Sequence, residues 1–74
     1  MLQAMAAAAR AGTPIARIEA DAKAQLVRDG FKPDYAAIRR ASDLGETTAD
    51  SSEPRVALIA ARVGTTRLID NLLI

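Results

Sequence analysis

The sequence predicts an α+β fold, with two N-terminal helices packed on a small antiparallel sheet of about three strands. Three observations carry that expectation. The chain has 74 residues, room for one small domain. Two alanine-rich segments with the helical apolar period come first, separated by Gly12-Thr13-Pro14. Short apolar runs bounded by Pro, Gly and Thr close the chain.

Leu2–Ala11 consists of good helix formers, with Leu2, Met5 and Ala9 on one face. Its large apolar residues sit at the very start, as expected of a chain cut into an existing helix, an ordinary frayed N-terminus being the alternative reading. Gly12 suits the left-handed residue that closes a helix, Thr13 is an N-cap candidate, and Pro14 fits the first helical position. The second helix is predicted over Pro14–Asp29. Ile15, Ile18, Ala22 and Leu26 line its apolar face, with Val27 beside them and Glu19–Lys23 as an i, i+4 pair opposite. Gly30 caps it, and Phe31 packs back on the last turn.

Lys32-Pro33-Asp34 reads as a turn. Tyr35–Arg40 reads as a strand, with Tyr35 and Ala37 facing one way and Ala36 and Ile38 the other. Ser42–Pro54 is polar and reads as a mobile loop. Arg55–Val63 reads as a strand buried on both sides, because both faces are apolar in its middle. Gly64-Thr65-Thr66 makes a turn. Arg67–Ile74 then pairs back on Arg55–Val63 as a final strand, a short C-terminal helix being the competing reading.

Composition excludes several chemistries. Without His or Cys there is no zinc finger, Cys–His nucleophile or disulfide scaffold. A net charge of +1 argues against a polybasic nucleic-acid binder, and two aromatic residues make no base-stacking platform. No stretch approaches a membrane span or a signal peptide, so a soluble domain is expected. Half the residues are apolar, but 17 are alanine, so the core is lean. The four glycines are scattered and form no phosphate-cradling loop.

Asp43, Glu46, Asp50 and Glu53 read as a solvated acidic loop, and Arg39-Arg40 as a solvated strand end. One stretch stands out: Ala60-Ala61-Arg62-Val63-Gly64-Thr65-Thr66-Arg67-Leu68-Ile69-Asp70-Asn71. Asp70 lies in an apolar run and needs a partner or solvent, since an unpaired buried carboxylate is costly. Arg62 or Arg67 is its natural partner, in an ion pair fixing the last hairpin.

That stretch, with its apolar tail, resembles the C-terminal signature of the bacterial pantothenate synthetase (pantoate–β-alanine ligase) family. Asp34-Tyr35-Ala36-Ala37-Ile38-Arg39 resembles the family's "DY…IR" strand, and Arg55-Val56-Ala57-Leu58-Ile59 its following strand. The alanine-rich helices resemble those that open the family's C-terminal domain. The resemblance covers nearly the whole chain. Its most specific part is Gly64, Thr65, Thr66, Arg67, Asp70 and Asn71, a structural motif that keeps the sheet in shape.

The resemblance implies an ATP- and Mg-dependent ligase that joins pantoate to β-alanine through a pantoyl-adenylate, releasing AMP and pyrophosphate. It implies that residues 1–74 are a single C-terminal lid domain. The partner is then the chain's own N-terminal Rossmann-type catalytic domain, which carries the HIGH-like and KMSKS-like motifs. Neither motif is present: there is no histidine, and the only lysines are Lys23 and Lys32. No catalytic, cofactor-binding or metal residue is therefore carried over, and the chain alone is expected to be inactive. Arg62 and Arg67 are candidates for a phosphate contact. The family implies a cytoplasmic homodimer formed through the N-terminal domain, with no nucleic acid and no membrane. The alternative is a free-standing α+β interaction or dimerisation module without catalysis.

Overall fold

The computed structural model describes residues 1–74. Two helices, α1 (Leu2–Arg10) and α2 (Ile15–Arg28), precede three strands, β1 (Lys32–Arg40), β2 (Arg55–Val63) and β3 (Thr66–Leu73). The strands form an antiparallel meander in the order β1-β2-β3. The α+β expectation holds, and the last segment is strand, not helix. No helix is long and apolar enough to cross a membrane.

Both helices end as their glycines dictate. The Gly12 N–H donates to the Ala9 carbonyl and the Thr13 N–H to that of Ala8. The Gly30 N–H donates to Val27 and the Phe31 N–H to Leu26 in the same pattern. Each closure is a Schellman motif, with φ of 84° at Gly12 and 88° at Gly30.

The start of α2 differs from expectation. Thr13 makes no capping hydrogen bond, and Pro14 is itself the N-cap, at φ −54° and ψ 135°. Its carbonyl accepts from the Arg17 and Ile18 N–H groups. Proline tolerates this extended geometry, and it biases Thr13 before it away from helix.

The Glu19–Lys23 pair is also not formed. Glu19 instead reaches across to the sheet. Its Oε2 accepts from the Ile38 N–H at 3.0 Å and from Arg39 Nη1 at 3.0 Å. The surface i, i+4 pair on α2 is Arg17–Asp21, at 3.7 Å. Ile38 lies on an edge strand, whose outward N–H groups need partners or protection. Glu19 supplies one and ties α2 to β1.

Lys32-Pro33-Asp34 is not a turn but the first part of β1. Lys32 pairs with Arg62 and Pro33 with Ala61, and the register then slips between Pro33 and Tyr35. Asp34 is the extra residue of this β-bulge. Proline is tolerated here because β1 is an edge strand and the bulge interrupts its ladder.

The core lies between the helices and the inner face of the sheet. It is built from Met5, Ala9, Ile18, Ala22, Ala36, Ile38 and Ala57, with Leu2, Ile15, Ile59 and Ile74 packed against it. The Arg55 guanidinium is buried, with Nη2 3.5 Å from the Ala9 carbonyl. That places a cation at the C-terminus of α1, where the helix dipole favours it.

No helix covers the outer face. Val56 and Ala60 of β2 are nonetheless buried there, as expected for that strand. Tyr35 and Leu58 on the same face are partly exposed, while Ile69 and Leu73 are 61% and 69% exposed.

Candidate functional site

The stretch singled out in the sequence forms the β2–β3 hairpin and its flanks. Val63 pairs with Thr66, leaving Gly64-Thr65 as a two-residue loop. Gly64 has φ 58°, and no other residue of the hairpin has positive φ. A left-handed first loop residue alone is the pattern of a type II′ turn, whose twist matches its strands.

Arg62 and Arg67 pair directly across the two strands, on the outer face. Asp70 does not join them. It lies three positions beyond Arg67, so the two-residue strand period sends it to the inner face, opposite Ile59. There it lies at the start of α1, near Met1, Leu2 and Gln3, and is exposed. Its Oδ1 accepts from the Asn71 N–H at 2.8 Å. Asn71 itself is exposed on the outer face, opposite Leu58. The expected Asp70 ion pair is therefore absent.

The carboxylate that serves both arginines is Asp34. Its Oδ2 accepts from Arg67 Nε at 3.0 Å and from Arg62 Nε at 3.4 Å. The bulge delivers it, because the extra residue re-aims the Asp34 side chain onto the outer face. Asp34 is 30% exposed, and the arginines 59% and 47%. Exposed ion pairs contribute about 0–1 kcal/mol each. The trio orders the strand ends more than it stabilises the fold.

The acidic loop organises itself around one cation. Arg40 Nε donates to Asp43 Oδ1 at 3.0 Å, and Arg40 Nη1 lies 3.9 Å from Glu53. The Gly45 N–H donates to Asp43 Oδ1 at 2.9 Å. That backbone bond and then the Arg40 side chain hold the Asp43 carboxyl below the usual aspartate range. Arg39 and Arg40 are thus both occupied within the fold, by Glu19 and by this loop.

Sequence reasoning missed Asp34, Glu19 and Arg55. Asp34 follows a proline in what reads as a turn, and only the bulge reveals its role. Glu19 is next to Ile18 on α2, but no local cue points its carboxylate at the sheet.

The fold defines a class: a small α+β domain whose helices cover one sheet face and leave the other open, with an arginine pair at one end. Residues 1–73 match the family model described as pantoate-beta-alanine ligase. The chain belongs to that family. It is similar to curated relatives called pantothenate synthetase. That of Stenotrophomonas maltophilia (strain R551-3) is 61% identical over 62 residues, covering 84% of this chain and 22% of the relative. That of Chromohalobacter salexigens is 51% identical over 65 residues, covering 88% and 23%. That of a Bradyrhizobium species (strain BTAi1) is 42% identical over 71 residues, covering 96% and 25%. The chain thus spans about a quarter of the length of these relatives.

Proposed function

We propose that this chain is the C-terminal closing domain of a pantoate–β-alanine ligase. The family match over residues 1–73, on a chain about a quarter as long as its relatives, carries the reading. The sequence supports it: no histidine can serve as a base, and no glycine loop can cradle ATP. In this reading the catalytic domain binds ATP, pantoate and magnesium, and β-alanine attacks a pantoyl-adenylate held there. The closing domain excludes water from that reactive ester while the amide forms. The open outer face of the sheet is the surface suited to meet the catalytic domain. The full-length enzyme is a cytoplasmic homodimer paired through its catalytic domains.

Magnesium does not fit this chain's own donors. Glu19, Asp34, Asp43 and Glu53 are engaged by arginines, and no three acidic side chains converge as metal ligands would. In this reading the metal is held by the catalytic domain.

The test is an AMP-release assay on the pure 74-residue chain with ATP, pantoate and β-alanine. No turnover is expected, and clear turnover refutes the closing-domain role. The coding sequence upstream of Leu2 is a second check. It is expected to continue in frame into a Rossmann domain with a HIGH-like motif. A ribosome-binding site just before Met1 would instead favour a free-standing interaction module.

A further inference from the structure

We propose that the outer face of the sheet carries a polyphosphate-binding row made by Lys32, Arg62 and Arg67. The register sets these residues side by side across all three strands: Lys32 opposite Arg62, and Arg62 opposite Arg67. Like charges placed directly opposite in a sheet are destabilising. The row keeps three such cations with Asp34 as their one carboxylate partner. Two positive charges remain in excess, on a face that no helix covers.

The geometry favours an anion with several oxygens. Asp34 engages both arginines through Nε, so it orients each guanidinium while every Nη group stays free of protein partners. Free guanidinium N–H pairs suit bidentate recognition of phosphate. Adjacent strands lie about 4.8 Å apart, so the row spans about 10 Å, the scale of a di- or triphosphate. The sheet's other arginines are spent within the fold: Arg39 on Glu19, Arg40 on Asp43 and Glu53, and Arg55 on the end of α1. Asp34 acts as a positioning residue. The site deepens the closing-domain reading by giving its open face a ligand class, but the binding itself belongs to this chain.

The experiment is a titration of the ¹⁵N-labelled 74-residue chain with inorganic pyrophosphate, followed by NMR. ATP, and sulfate at matched ionic strength, are parallel arms. The Arg62 and Arg67 Nε–H signals and the amides around Lys32 and Arg62–Arg67 are expected to shift, with a Kd of about 1 mM or tighter. Sulfate should bind more weakly. Lys32→Gln, Arg62→Gln and Arg67→Gln should each weaken pyrophosphate binding about fivefold or more, while Arg10→Gln leaves it unchanged. Each variant's spectrum reports whether it is folded, and the wild-type titration needs no variant. Absence of shifts, equal shifts with sulfate, or an equal loss in Arg10→Gln overturns the site in favour of general charge screening. Shifts with ATP alone also overturn it, since the nucleoside would then carry recognition. Failure of this site leaves the closing-domain role standing, because no catalytic domain enters the titration.

Discussion

Glu19→Ala is the sharpest probe of what holds the two layers together. Glu19 is one ionised group with two partners, the Ile38 N–H and Arg39 Nη1, each at 3.0 Å, and it is 22% exposed. A hydrogen bond to a charged group contributes about 1.5–3 kcal/mol. The half-exposed pair with Arg39 adds about 0.5 kcal/mol after solvent screening. Alanine's better helix propensity offsets a few tenths of a kcal/mol. The net loss is about 2–3 kcal/mol. At about 0.05–0.15 kcal/mol per residue, a domain of this size has about 4–11 kcal/mol in all. The variant therefore loses a large fraction of its stability. Urea unfolding followed by far-UV circular dichroism reads this as a lower midpoint at unchanged slope. The Ile38 amide should exchange faster in the variant. Glu19→Gln keeps an acceptor for Ile38 and should cost about half as much. A change within about 0.5 kcal/mol, the range of ordinary surface sites, would refute the bridging role. So would an equal loss in Lys23→Ala, which would restore the helix-surface pair.

Two further predictions concern charges. Asp70→Ala should change stability by no more than about 0.5 kcal/mol in the same assay, because Asp70 is exposed and has no cationic partner. A loss of several kcal/mol would show that Asp70 is a buried ion-pair member after all. Asp43 should titrate below an ordinary aspartate in a carboxyl NMR titration. Its contribution to stability is then complete above about pH 3.9 and is lost as the pH falls through its lower native value. Gly45→Ala should raise that value towards normal. A Cβ there would stand 2.5 Å from Arg40 Nη2 and 3.0 Å from Asp43 Oδ1, displacing the flexible guanidinium. An unchanged Asp43 titration in that variant would contradict the assignment of the shift.

Local signals were legible where local physics decides. Gly12 and Gly30 marked the helix ends because a left-handed residue is needed there whatever the tertiary fold. The Gly64-Thr65 loop and the two strands around it followed from the same kind of cue. What stayed hidden depends on register. Arg62 and Arg67 are far from Asp34 in sequence and meet it only because a bulge slips the pairing by one residue. Asp70 is close to Arg67 in sequence and is sent to the opposite face by the strand period. Glu19 looked like half of a helix-surface pair, since nothing local announces that an edge-strand N–H lies within its reach. The family was readable from Gly64–Asn71, yet the arginines' partner lies thirty residues upstream in the strand that starts at Lys32.

On the proposed reading, this chain completes an enzyme whose chemistry lies in another domain. The direct measurement is the turnover of a chimera. Residues 1–74 replace the matching segment of the Stenotrophomonas maltophilia pantothenate synthetase, and AMP release is measured with pantoate, β-alanine and ATP. The chimera should work within about tenfold of its parent, a difference of about 1.4 kcal/mol in the barrier, while the parent lacking that segment is inactive. A folded chimera with no turnover, or a truncated parent that works as well as the whole, would refute the closing-domain role.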